Sequence, residues 1–201
     1  MTRLGSLIIV DRVQPQVAAY MTVASRSGLI TRPGNALASF TFMPTVAIEE
    51  AMDVGLKRGD IALSFLQMDS RVGFLVLQSK SISEIRDAVD AIVDQLHLEV
   101  PPDIVKNAPS RLISSLDSKQ AYVMNRSRMG ALAIPGQSLY VIECDPSAYA
   151  LSAVNEAEKA ADIRLVDFKF TGSMGRVIIS GTDSNIRAAR EAVAGSYEEA
   201  A

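Results

Sequence analysis

The chain has 201 residues, 48% of them hydrophobic and 21% charged, and 20 basic against 23 acidic side chains leave a net charge of -3. This is the make-up of a soluble globular chain with a proper core; it excludes a disordered or fibrous protein, and without a positive field it makes nucleic acid and anionic lipid poor partners. A single cysteine, Cys144, cannot form an intramolecular disulfide or hold a zinc or iron–sulfur site within one chain, so a reducing, cytoplasmic setting is expected.

In chain order, residues 4–10 are an apolar run closed by Asp11-Arg12 and without a small-residue cleavage site, so they read as a strand. No apolar run approaches the roughly 20 residues of a membrane-spanning helix, and the expectation is a chain neither exported nor inserted. A segment at 7–32 precedes a strand at 38–43, a helix at 44–58, a strand at 61–68, a turn at Asp69-Ser70-Arg71, a strand at 73–78 and a helix at 82–96. The stretch 98–109, LEVPPDIVKNAP, carries three prolines and reads as an inter-domain connection, which puts the domains at 1–102 and 103–201.

After the connection comes a segment at 120–134, then the short apolar run of a strand at 138–144, with Asp145-Pro146-Ser147 as turn and helix start. Ala150, Val154, Ala157 and Ala161 fall at helical spacing. Residues 163–170 alternate apolar and polar as a half-buried strand does; a glycine-containing turn follows, then a strand at 176–180 and a helix at about 183–197 whose buried face holds Ile186, Ala189 and Val193.

The second series repeats the first. Sliding the sequence by 102 positions without a gap superposes Tyr20 on Tyr122, Pro33-Gly34 on Pro135-Gly136, Pro44 on Pro146, Lys57 on Lys159, Asp60-Ile61 on Asp162-Ile163 and Gly73 on Gly175. Fifteen identities in the 55 positions from Ala19 to Gly73, where chance would give about four, make this a duplication of a domain-sized unit. Each copy is expected to be an α/β sandwich, helices on an antiparallel sheet, with the segments at 7–32 and 120–134 each adding at least one strand.

Catalytic chemistry is hard to find. His97 is the one histidine and falls at a helix end, which removes most hydrolase and metal-site templates. Cys144 lies inside an apolar strand and reads as a small buried hydrophobe. The stretch 171–176, TGSMGR, has the glycines and cation of a phosphate loop, but it joins two strands where a phosphate loop opens a helix. Glu49-Glu50 and the pair Glu156 and Glu158 sit at spacings of solvated helix faces. The reading is no enzyme, no metal and no cofactor.

Lys159 through Asp167 (KAADIRLVD), a glycine-containing turn, and then 175–181 (GRVIISG) together resemble the signature of bacterial microcompartment shell domains. The first copy keeps Lys57, Asp60-Ile61, Leu63 and Gly73 but has Arg58-Gly59 where that family prefers two alanines. Two such domains in one chain resemble the tandem class, and segments placed ahead of the signature indicate its circularly permuted form. The strings at 10–20, 125–131 and 135–141 are similar to the permuted tandem shell proteins of carboxysomes.

The resemblance implies a homotrimer mimicking a hexamer, able to pair face to face as a dimer of trimers, which tiles a shell in the bacterial cytoplasm beside other shell proteins. It implies a central pore for small metabolites, lined by Asp69, Ser70 and Arg71 from one copy and by Thr171, Gly172, Ser173 and Met174 from the other. The family's gate uses a glutamate–arginine pair, and here serine separates acid and base. Lys57 and Lys159 are expected at the outer edge in contacts between trimers, against the plainer role of solvated lysines at helix ends. The competing reading from the residues is a sensor built of duplicated α/β domains with a small-molecule cleft; an enzyme ranks third.

Overall fold

The computed structural model describes residues 2–25, 29–68, 71–101 and 109–198. It divides into two compact units, 1–103 and 104–201, termed copy one and copy two below. Copy one runs β1 (Arg3–Val10), α1 (Pro15–Ala24), β2 (Ala36–Met43), α2 (Ala47–Leu56), β3 (Ala62–Gln67), β4 (Gly73–Ser79) and α3 (Ile82–Gln95). Copy two runs β5 (Ser110–Ile113), α4 (Ser118–Ser127), β6 (Ser138–Cys144), α5 (Tyr149–Ala160), β7 (Arg164–Lys169), β8 (Gly175–Gly181) and α6 (Asp183–Glu198). Each has one antiparallel four-stranded sheet, ordered β1-β2-β4-β3 in the first and β5-β6-β8-β7 in the second.

Alternation along the strands decides which helices go where. In copy one Ala36, Ala38, Phe40 and Phe42 of β2 and Leu75 and Leu77 of β4 pack into one core with α2 and α3, whose Ile48, Ile85 and Ile92 are fully buried. Burying each large side chain of this kind contributes about 1.5–3 kcal/mol. The intervening positions face the other way, toward α1 in copy one and α4 in copy two; Leu139, Val166 and Ile178 form a smaller cluster there with Ala121.

The added segments differ from expectation in copy two. In copy one the extra strand begins at Arg3 and is followed by a helix. In copy two 120–134 supplies a helix end and a loop, and the strand lies earlier, at Ser110–Ile113. Helix α2 starts at Ala47 and not at Pro44, because residues 44–49 first make a tight turn in which Ala47, Ile48 and Glu49 donate to carbonyls three residues back. Leu98, at the start of the expected connection, is buried in copy one's core; residues 102–108 lie outside the described residues.

The gapless superposition also slips by one residue around the first helix of each copy. Thr22 Oγ1 accepts from the backbone N–H of Thr31, nine residues on, whereas Asn125 bonds both backbone groups of Ala133, eight residues on. Val13 and Leu116 each accept from the N–H of the aligned turn glycine, Gly34 and Gly136, both with φ of 82°. Before the loop the structural offset is therefore 103, and Ala18, Tyr20 and Met21 correspond to Ala121, Val123 and Met124. The shorter loop docks on the edge of β7, with the N–H groups of Gly130 and Ala131 bonding Val166 O and Leu165 O. A Cβ at Gly130 would come 2.2 Å from Leu165 O, so only glycine permits this approach.

His97 has a plain structural task. It is exposed, follows α3 with φ of 50°, and completes a helix stop in which its N–H bonds Asp94 O and the N–H of Leu98 bonds Val93 O. A side chain in the left-handed region is unfavourable there, so His97→Gly is expected to stabilise the protein by about 0.5–1 kcal/mol in urea unfolding; a loss of stability would contradict this.

Candidate pore turns and edge lysines

Strands β4 and β8 each begin beside the start of a helix, at the aligned residues Gly73 and Gly175. Built onto Gly73, a Cβ would touch Ile48 and Thr45 at the head of α2; on Gly175 it would touch Ser147 and Ala150 at the head of α5. Both glycines are buried and let the strand pass under the helix start. The X-Pro bonds preceding these helix starts, Met43-Pro44 and Asp145-Pro146, are both cis.

In copy two the whole turn is described. Thr171 is half-buried, whereas Gly172, Ser173 and Met174 are exposed. Gly172 has φ of 92°, which its missing Cβ allows, and its carbonyl accepts a hydrogen bond from Ser147 Oγ at 2.9 Å. The glycine thus shapes the turn, and Ser147 ties it to the start of α5. In copy one Asp69 and Ser70 lie outside the described residues; Arg71 is exposed immediately before β4.

Lys57 and Lys159 sit at the opposite ends of the same two helices. Lys57 caps the C-terminus of α2 and Lys159 lies in the last turn of α5. With 10 and 12 residues, the two helices are about 15–18 Å long, so each lysine lies roughly that far from the head of its own helix. Each ammonium pairs along its own helix: Lys57 with Asp53 at 2.6 Å, both well exposed, and Lys159 with Glu156 at 2.7 Å, both about one-third exposed. Such pairs are worth only about 0.3–0.5 kcal/mol, so either lysine is cheaply redirected to another acceptor.

Elsewhere the polar groups have structural duties. Arg187 and Ser138 bond Asp183 at the start of α6, and the guanidinium holds this exposed carboxyl below its ordinary value while its own is raised. The depressed value means that the stabilisation is present above the unfolded carboxyl's range and is lost as pH falls through the folded one. Cys144 is fully buried. Among the described residues no group of three or more His, Cys, Asp or Glu is placed to hold a metal ion, and no helix is long and apolar enough to cross a membrane. The turn at 171–176 joins β7 to β8 and does not open a helix.

Comparison with known proteins places this architecture. Residues 4–101 match the family model described as the CsoS1D N-terminal domain, and residues 138–200 match the BMC domain. The chain is 34% identical to the carboxysome shell protein CcmP of Synechococcus elongatus, over 97% of this chain and 92% of that protein. It is 31% identical to the carboxysome shell protein CsoS1D of Hydrogenovibrio crunogenus, over 96% and 97% respectively. Among solved structures it resembles a fused permuted hexameric shell protein from the RMM microcompartment, with 35% identity, a TM-score of 0.89 and 98% of each chain covered. A double-ringed trimeric shell protein from the same microcompartment gives 27% identity and a TM-score of 0.91, over 99% of this chain and 97% of that one. With the duplicated sandwich and the near-complete coverage of these relatives, the chain belongs to the carboxysome shell-protein family that fuses two permuted microcompartment-shell (BMC) domains.

Proposed function

We propose that the protein is a facet tile of a microcompartment shell in the bacterial cytoplasm, with no catalysis of its own, built from permuted domains at 1–102 and 103–201. Three chains close a pseudohexameric ring, since two copies per chain fill six positions around one axis. The observation that carries this reading is similarity along the entire chain to shell proteins solved as a fused permuted hexamer and as a double-ringed trimer. Light scattering tests it: a mass of three chains, or of six if two rings pair face to face, is expected, and a monomer at micromolar concentration would overturn it.

In this ring α2 and α5 run outward as spokes. Their heads bring the turns 69–71 and 171–174 to the axis as a pore for small metabolites, and their tails carry Lys57 and Lys159 to the rim, where neighbouring tiles and other shell proteins meet. Three copies of Asp69 and Arg71 at one axis can pair across the opening or swing apart. Exposed pairs are worth about 0–1 kcal/mol each, so the two arrangements differ by a few kcal/mol at most. A metabolite binding one arrangement better can reverse such a balance.

The Asp69→Ala, Arg71→Ala double variant is expected to keep the trimer and lose the two arrangements of the opening. Crystal structures of both proteins check this. Arg71 lying far from the threefold axis in the unmodified protein would refute the gate.

A further inference from the structure

A groove of about 450 Å³ runs between the tail of α2 and helix α3, and its lining holds both signs of charge: Lys57 and Arg58 after α2, and Glu84, Asp87, Asp90 and Asp94 of α3. Two of these groups are occupied, Lys57 with Asp53 and Glu84 with the hydroxyl of Ser79, which donates to it. Arg58, Asp87, Asp90 and Asp94 are exposed, and among the described residues none of the four takes part in an ion pair. The three aspartates follow one another at spacings of three and four along one helix face, where like charges repel.

Copy two does not repeat the pattern. Ile85 and Ile92 on the buried side of α3 correspond to Ile186 and Val193 on the buried side of α6. Asp87, Asp90 and Asp94 are thereby matched with Ala188, Glu191 and Gly195, and Arg58 with Ala160. The same fold forms without these charges, so packing does not require them.

The sign pattern decides what can cover the groove. A uniformly basic partner would neutralise the aspartates but repel Arg58, and an acidic one would do the reverse. The surface that satisfies both at once is the same groove turned by half a revolution, because in a two-fold contact each member of a residue pair meets the other on both sides of the axis.

We propose that the copy-one groove is a self-complementary docking surface for a second copy of this chain. Arg58 of one tile pairs with the aspartate row, centred on Asp90, of the adjoining tile, and the reciprocal pairs form across the same two-fold axis. The contact rests on the reading of the protein as a tile, which puts the tail of α2, and the groove with it, at the rim. Around such a tile the edges of the two copies alternate, so opposite edges belong to different copies. Tiles in a single orientation would set every copy-one edge against a copy-two edge, whereas the proposed contact turns the neighbour across a copy-one edge by half a revolution.

Electron cryomicroscopy of two-dimensional assemblies of the full chain tests this, with the sedimented fraction as a second readout. Half-turn relations across copy-one edges are expected, and sheets in one orientation throughout would overturn the proposal. Arg58→Glu and Asp90→Arg, both at exposed positions, set like charges across the two-fold axis, and each should lower the sedimented fraction about fivefold or more while light scattering still shows the trimer. Combined, they face opposite charges again and should assemble better than either single variant. Single variants that assemble like the unmodified protein, or a double variant no better than the single ones, would overturn the proposal and leave the tile reading intact. An unmodified protein that stays monomeric would overturn the tile reading and the contact with it.

Discussion

Gly175→Ala is expected to destabilise copy two by about 3 kcal/mol or more, and the aligned Gly73→Ala to cost copy one only about 1 kcal/mol. A Cβ at Gly175 would stand 2.3 Å from the backbone oxygen of Ser147 and 2.9 Å from Ala150 Cβ. That oxygen accepts from the N–H of Ala150, so displacing it opens the first turn of α5. At Gly73 the nearest atom is Ile48 Cδ1, at 2.2 Å, the tip of a side chain that can rotate away. Because Ser147 also holds Gly172, the damage at Gly175 should reach the turn at 171–174. Denaturant unfolding reads the two costs, and hydrogen exchange of the β8 amides locates the first. Equal effects of the two substitutions would show that the helix start yields as easily as a side chain.

Replacing Lys57 and Lys159 together by aspartate is expected to abolish extended sheets in electron micrographs while leaving the trimer's mass unchanged. Both lysines terminate helices, so an aspartate there opposes the helix dipole and costs roughly 0.3–1 kcal/mol, too little to unfold a domain. Each substitution also sets an acid beside Asp53 or Glu156, the present partner of the lysine. The rim of every tile would then change sign, and tiles brought edge to edge would repel. Sheets that persist in the double variant would leave both lysines as solvated helix ends.

Much of the fold could be read from the chain because the central strands are short apolar runs, buried along nearly their whole length, between turn residues. Residues 38–43 and 138–144 fall within observed strands, and the glycine turns mark their ends. The strand Ser110–Ile113 is not legible in the sequence, because four residues with one arginine carry too little periodicity. The one-residue slip is masked in the sequence, because matching Ala-Tyr pairs, Ala19-Tyr20 and Ala121-Tyr122, occur one position out of structural register and reward the gapless superposition. The copy-one groove is hidden for another reason. Asp87, Asp90 and Asp94 look like a solvated helix face, and only the fold sets Arg58 in the same groove. Of the proposed pore residues, Arg71 and 171–174 have described positions at the expected turns, whereas Asp69 and Ser70 do not.

If one chain supplies two spokes of a pseudohexameric tile, the ends of the β3–β4 and β7–β8 pairs alternate around a single axis. Electron cryomicroscopy of the purified assembly tests it most directly, by locating the β3–β4 and β7–β8 turns relative to the symmetry axis. Three chains around one axis, with Arg71 and Gly172 alternating nearest to it and Lys57 and Lys159 at the rim, is the predicted result. Turns at the periphery, lysines facing the axis, or particles without threefold symmetry would contradict it.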